Sequence, residues 1–411
     1  MTELASTHLE RRRTNRTLFV GAALGATGVA AALSIASLAG EATSGGTAWS
    51  GVPGATTVVG TAVGATLVSR WLDGPNRRRA LTLGYVIAVV GAGICAFAIE
   101  AGVFLVLIGG TVLIGIGQAT THLTRYVVAD LYTSEQRASA IGWIVWAGTV
   151  GGIIGPTVLA PTGAVASSVG LDELVGPYLA TVIALGAIPL WYRLRLRVDP
   201  ADQIVAETSA VHEPEVAAPD AGLLARPAVR VALAVMVTGQ VVMILVMSMT
   251  PVHIRHGGGS LGIVGLVMSA HILGMYAFAP AVGTLVDRVG AKRVAVVGMT
   301  TLAGASILAA AANGHDVVLG GALWLLGVGW SLGFVSGSAM LARSLPLAVR
   351  TRVQGQVETV VWLSSAGASL GAGLLLAGIG FAGLCWLGAA FTALPTATLL
   401  RSMLRPETRP A

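Results

Sequence analysis

The chain is 411 residues long, 55% apolar and only 11% charged, with a formal net charge of +6. Average soluble domains carry about 25% charged residues, so this composition excludes an ordinary soluble globular protein of this length. The positive balance is no nucleic-acid footprint, because no basic stripe with interleaved aromatics exists in the sequence.

Apolar runs, most of them 18 residues or longer, alternate with short polar clusters, and each run is long enough to cross a bilayer. In the first half they predict spans at 17–39, 48–69, 79–99, 102–125, 138–160 and 175–193. In the second half they predict spans at 229–252, 260–282, 293–312, 317–340, 355–379 and 381–402. The first run is too long for a signal-peptide core and lacks a convincing cleavage motif, so it reads as a retained span. Cys95 and Cys385 fall inside separate spans, where small apolar packing is the expected role.

The basic residues fix an expected orientation. Arg11, Arg12, Arg13 and Arg16 precede the first span, and Arg77, Arg78 and Arg79 lie between spans two and three. Arg137, Arg193, Arg195, Arg197, Arg226, Lys292, Arg293, Arg350 and Arg352 follow on the same side, and Arg401, Arg405 and Arg409 close the chain. Only Arg255 falls on the other side. This one-sided distribution predicts a multi-pass protein of the cytoplasmic membrane with both termini in the cytoplasm.

The one long polar stretch, about Val198 to Ala225, is rich in Asp, Glu, Ala and Pro. It has no apolar periodicity and reads as a flexible cytoplasmic linker. The expected organisation is an N-terminal six-helix bundle at 1–195, a linker at 196–227 and a C-terminal six-helix bundle at 228–411. Most of the 55 glycines lie inside spans, where they let helix backbones approach closely.

The segment GTLVDRVGAKR, Gly283 to Arg293, resembles the signature loop of the major facilitator superfamily, Gly-x-x-x-Asp-Arg-x-Gly-x-Lys/Arg-Arg. A degraded copy, ATLVSRW, places Thr66, Leu67, Val68 and Arg70 where Thr284, Leu285, Val286 and Arg288 stand in the second half. Two similar halves in tandem are how many secondary transporters are built. The resemblance implies an all-α membrane protein of twelve transmembrane helices in two pseudo-symmetric bundles. It also implies that Asp287, Arg288 and the turn at Gly290 latch neighbouring helices in one conformation. The first copy has Ser69 where the acid belongs, which predicts a weaker latch in which Arg70 takes Asp130 as its partner. Gly151-x-x-x-Gly155-Pro156 is similar, in part, to the antiporter signature of the drug/proton branch and implies exchange. Thr111 stands where the family places a proton-linked arginine ahead of its Gly-x-Gly.

Polar groups at membrane depth are costly and normally face the bundle interior or a watery path. Gln118, His122 and Arg125 share one helical face of span four. Gln240 lies in a methionine stripe with Met243, and Gln354, Glu358 and Trp362 share a face of span eleven. With His271 and Trp330 these residues are the candidates for a substrate cavity, the alternative being ordinary packing. Glu358 is the first candidate for a proton-titrating carboxylate, the alternative being an ion pair with Arg125 or an inner-loop arginine. His271 is the second, the alternative being a satisfied buried histidine.

No nucleotide-binding loop, metal-ligand cluster or nucleophile–base constellation occurs, so neither an enzyme nor direct ATP drive is expected, and no cofactor. The reading is a monomeric, proton-coupled exporter of a small amphipathic molecule. An importer or facilitator of a metabolite is the alternative, and a non-transporting membrane sensor is a remote one.

Overall fold

A computed structural model describes residues 2–74, 76–132, 134–196, 199–200, 226–345 and 347–404; of residues 2–9, 134–139, 347–352 and 404 it describes only the backbone course. The expected linker lies almost wholly outside these residues, as do the side chains of Arg137, Arg197, Arg350, Arg352, Arg405 and Arg409.

Every long element is helical, as apolar runs in lipid require, since a helix satisfies its backbone polar groups internally. In chain order the helices are α1 (Thr2–Ser34), α2 (Ala36–Ser44), α3 (Val52–Leu72), α4 (Arg77–Ala101), α5 (Phe104–Ala129), α6 (Ser134–Thr157), α7 (Leu159–Ser168) and α8 (Val175–Arg195). They continue as α9 (Pro227–His256), α10 (Leu261–Tyr276), α11 (Ala279–Val289), α12 (Ala291–Ala310), α13 (Asp316–Ser344), α14 (Leu347–Phe391) and α15 (Ala393–Leu404).

Eleven stretches among the described residues are long and apolar enough to cross a membrane. The last of them, Val353–Met403, has 51 residues. At 1.5 Å per residue it would run about 75 Å, far more than the ~30 Å one crossing needs. Gly380 interrupts it with φ 69° and ψ 175°, a conformation open to a residue without a Cβ. The stretch is therefore two crossings, which makes twelve among the described residues.

The chain divides into two compact units, Met1–Gly46 with Val52–Val216, and Thr47–Gly51 with Ala217–Ala411. Within the first unit α3 and α4 pack on α5, α1 packs on α6 and α8, and α4 packs on α8. Within the second, α10 and α12 pack on α13, α9 packs on α14 and α15, and α12 packs on α14. The same pairing scheme is thus used twice.

Close backbone approach shows the repeat residue by residue. A Cβ on Gly115 would strike the Thr57 carbonyl, the Thr61 nitrogen and Gly60 of the facing helix. A Cβ on Gly327 would strike the His271 carbonyl, the Met275 nitrogen and Gly274 in the same way. Helices α3 with α5 and α10 with α13 therefore cross on small residues, as membrane helices do where no hydrophobic force drives them together.

The halves differ below that crossing. Helix α3 is continuous, but its counterpart is broken between Tyr276 and Ala279. Pro280 has no N–H to give the Tyr276 carbonyl and crowds it, which ends α10 there. His271 and Met275 stand where Thr57 and Thr61 do, yet the motif residues Thr284 and Arg288 arrive roughly one helical turn late relative to Thr66 and Arg70. The break absorbs that extra turn.

Candidate functional site

Two side-chain clusters in the first unit and two in the second hold most of the candidate residues. At one end of the first unit, Asp130 closes α5 and its carboxylate meets Arg77 Nη1 at 2.6 Å, with side-chain exposures of 17% and 15%. The expected partner, Arg70, is instead exposed near the end of α3. Local structure explains the exchange. Arg77 is the first residue of α4, where Asn76 accepts a hydrogen bond from the Arg79 amide. The Asp199 carboxylate accepts from the amides of Arg77 and Arg78, each at 3.1 Å. An acid at a helix N-terminus satisfies orphan amides and complements the helix dipole. Arg78 further donates to the Leu196 carbonyl at 3.0 Å, so the start of α4 is held firmly and Arg77 is aimed at Asp130.

Beside this pair lies a cleft of about 140 Å³ lined by Ser69, Asp73, Arg77, Tyr126 and Asp130 among others. Small-molecule sites run from about 300 to 1,000 Å³, so this cleft is too small for an amphipathic cargo.

In the second unit Asp287 meets Arg343 at 3.2 Å, with exposures of 76% and 60%. Arg288 is exposed, and Gly290 joins α11 to α12 at φ 97°. An ion pair this exposed contributes little, whereas the shorter and better covered Arg77–Asp130 pair is held by its surroundings. The motif that looks intact in sequence thus carries the looser pair, and the degraded one sits beside the tighter.

The membrane-depth candidates fall in two groups. In the first unit Gln118 is half-buried and accepts a hydrogen bond from Thr61 Oγ1 at 2.9 Å. Arg125 donates to Tyr126 OH at 3.1 Å, and His122, about one turn earlier on the same helix, is exposed. Gly151 and Gly155 let α6 lie directly on α1, where Cβ atoms would strike the carbonyls of Ala23 and Thr27. Pro156 follows one turn before α7 begins.

In the second unit Gln240 on α9 and Trp330 on α13 are joined by a hydrogen bond of 2.8 Å from indole Nε1 to amide Oε1. Trp330 stacks on Phe334 with centroids 4.9 Å apart, and Tyr276 meets it edge-on at 5.9 Å. Met243, one turn from Gln240, is buried. His271 is completely buried on α10, and its Nδ1 lies 2.8 Å from the Leu323 carbonyl. Its Nε2 has no described partner. Glu358 and Trp362 are exposed on α14.

Reading from sequence missed Arg77, Thr61, Tyr276 and Phe334. Arg77 was hidden in an arginine run that serves the topology signal. Phe334 was in principle legible, since it lies one turn beyond Trp330 on the same helix face.

A duplicated bundle of twelve apolar helices, with polar side chains inside the spans and ion pairs at their ends, defines a multi-pass membrane transporter. The Major Facilitator Superfamily model matches residues 17–259 and again 231–411. The chain belongs to that superfamily.

Among its relatives, the uncharacterised MFS-type transporter YdeG of Bacillus subtilis (strain 168) is 35% identical, covering 94% of this chain and 91% of that protein. The riboflavin transporter RfnT of Brucella anthropi is 28% identical, covering 92% of each. Among solved structures, a D-xylose–proton symporter superimposes with a TM-score of 0.70 at 17% identity, covering 94% of this chain and 97% of that one. An inward-facing, occupied bacterial homologue of the human lysosomal transporter Spinster gives 0.72 at 16% identity, covering 96% and 97%. At such identities these structures speak for the fold alone.

Proposed function

We propose that this transporter moves a small amphipathic molecule by alternating access and couples its export to protons. The observation that carries the reading is the cluster of Gln240, Trp330 and Met243, in the same unit as the exposed Glu358 on α14. An amide held among aromatics and a flexible thioether suits cargo with an apolar body and a few polar edges. Glu358 would load and release the proton, and Gly151 and Gly155 would seat α6 on α1, as in an exchanger. In this reading both termini face the cytoplasm, the halves are bundles 1–195 and 228–411, and the protein works as a monomer.

A second reading, uptake of a metabolite, is favoured by one observation, the similarity to a riboflavin transporter over nine-tenths of both chains. Whole-cell accumulation of a fluorescent panel that includes riboflavin, with and without a protonophore, separates the two. Export predicts lower accumulation in expressing cells, with the difference removed by the protonophore. Higher accumulation in expressing cells would favour uptake. Identical accumulation of every compound with and without expression removes both readings.

A further inference from the structure

The cluster around Trp330 is more specific than a greasy surface. Trp330 and Phe334 are stacked at an interplanar angle of 16°, giving α13 a two-ring platform, and Tyr276 meets Trp330 at 72°. Trp330 and Phe334 are only partly buried, and Tyr276 is exposed. The indole N–H, the group of Trp330 that most needs a partner in an apolar setting, is spent on Gln240 Oε1. That bond fixes the amide flip, because the oxygen must face the indole.

The other half of the Gln240 side chain is therefore an NH2 group of known orientation. It donates to no described residue, and it is not among the sealed-off polar atoms without partners. Gln240 is otherwise 4% exposed. A buried amide with two free donors is costly to leave unsatisfied, and its donors are matched by carbonyl oxygens. Beside the platform, α10 ends at Tyr276, whose carbonyl receives no N–H from Pro280, the residue four further on. Discontinuous spans are where transporters of many folds place substrate groups.

We infer that the Trp330–Phe334 platform, with the Gln240 NH2 group at its edge, binds a planar heteroaromatic ring bearing ring carbonyls. The ring stacks on the platform, Gln240 donates to its carbonyls, and the Tyr276 carbonyl accepts from a ring N–H where one is present. This deepens the transport reading above by naming the class of cargo, and it does not depend on proton coupling or on direction.

Riboflavin, a planar ring system with carbonyls and an imide N–H, is a suitable probe because stacking on an indole quenches its fluorescence. Ethidium, planar but without carbonyls, is the control. Purified protein in lipid nanodiscs, with no ion gradient, should quench riboflavin saturably. Read by equilibrium dialysis, which needs no quencher, Trp330→Phe keeps an aromatic face and should weaken binding less than Trp330→Leu, which should weaken it about tenfold or more. Gln240→Met keeps the length of the side chain and should weaken riboflavin by about tenfold while changing ethidium little. All variants should elute as wild type on gel filtration, which separates lost binding from lost folding. Absence of saturable riboflavin quenching by the wild type would overturn the site. Equal behaviour of Trp330→Phe and Trp330→Leu would overturn the platform, and equal losses for both probes in Gln240→Met would overturn the hydrogen bond. Binding that survives while cellular transport shows no proton dependence would retire the coupling proposal and leave this one standing.

Discussion

At the residue scale, the positions that matter most are set by what holds their neighbours. Asp130 pairs with Arg77 because Asp199 and Asn76 anchor the start of α4, not because a motif alignment favours Arg70. If that pair is part of the gating machinery, Arg77→Glu should cut transport several-fold, and adding Asp130→Arg should restore most of it. Arg70→Glu should have a smaller effect, measured by the same cellular accumulation assay. No recovery in the double variant would reduce the pair to a surface contact. The candidate faces of spans four and seven were legible in sequence as polar residues at helical spacing. Which of them touch was not. Gln118 finds Thr61 and Gln240 finds Trp330 across helix pairs whose register depends on packing, and periodicity within one helix carries no such information.

At the element scale, lengths and ends of spans follow from the apolar runs, and the boundary at Gly380 lies where the sequence expects spans eleven and twelve to part. The helices also run past the expected limits, as α1 does from Thr2, because a helix continues into the polar flank while the apolar run alone marks the bilayer. The break before Pro280 was not anticipated, since a proline near a motif reads equally well as a helix start. Crossing points supply a sharp stability prediction. Gly327→Val and Gly115→Val place side chains against facing backbone and should destabilise by about 1–3 kcal/mol, the usual cost of overpacking. Gly367→Val and Gly371→Val, where nothing lies within 4 Å of an added Cβ, should change stability by no more than about 0.5 kcal/mol. Thermal unfolding midpoints in detergent measure both sets. Equal shifts would mean that the close crossings contribute no special stability.

At the scale of the whole molecule, duplication is the clearest message of the sequence, and the repeated helix pairings and the paired glycine crossings express it in three dimensions. The asymmetries are as informative. One half keeps a continuous α3 and a well-covered ion pair; the other has a broken span, an exposed ion pair and an aromatic platform. Strict symmetry would give two equivalent sites, and these differences make the halves structurally inequivalent. The central proposal is that a proton gradient drives cargo through this protein by way of Glu358. Proteoliposomes holding the purified transporter, given an imposed pH gradient and external riboflavin, measure it directly. The account predicts gradient-dependent riboflavin flux above the protein-free level in the wild type, falling to the gradient-free rate in Glu358→Gln, whose nanodisc binding of riboflavin is retained. Wild-type flux that is the same with and without the gradient would contradict it.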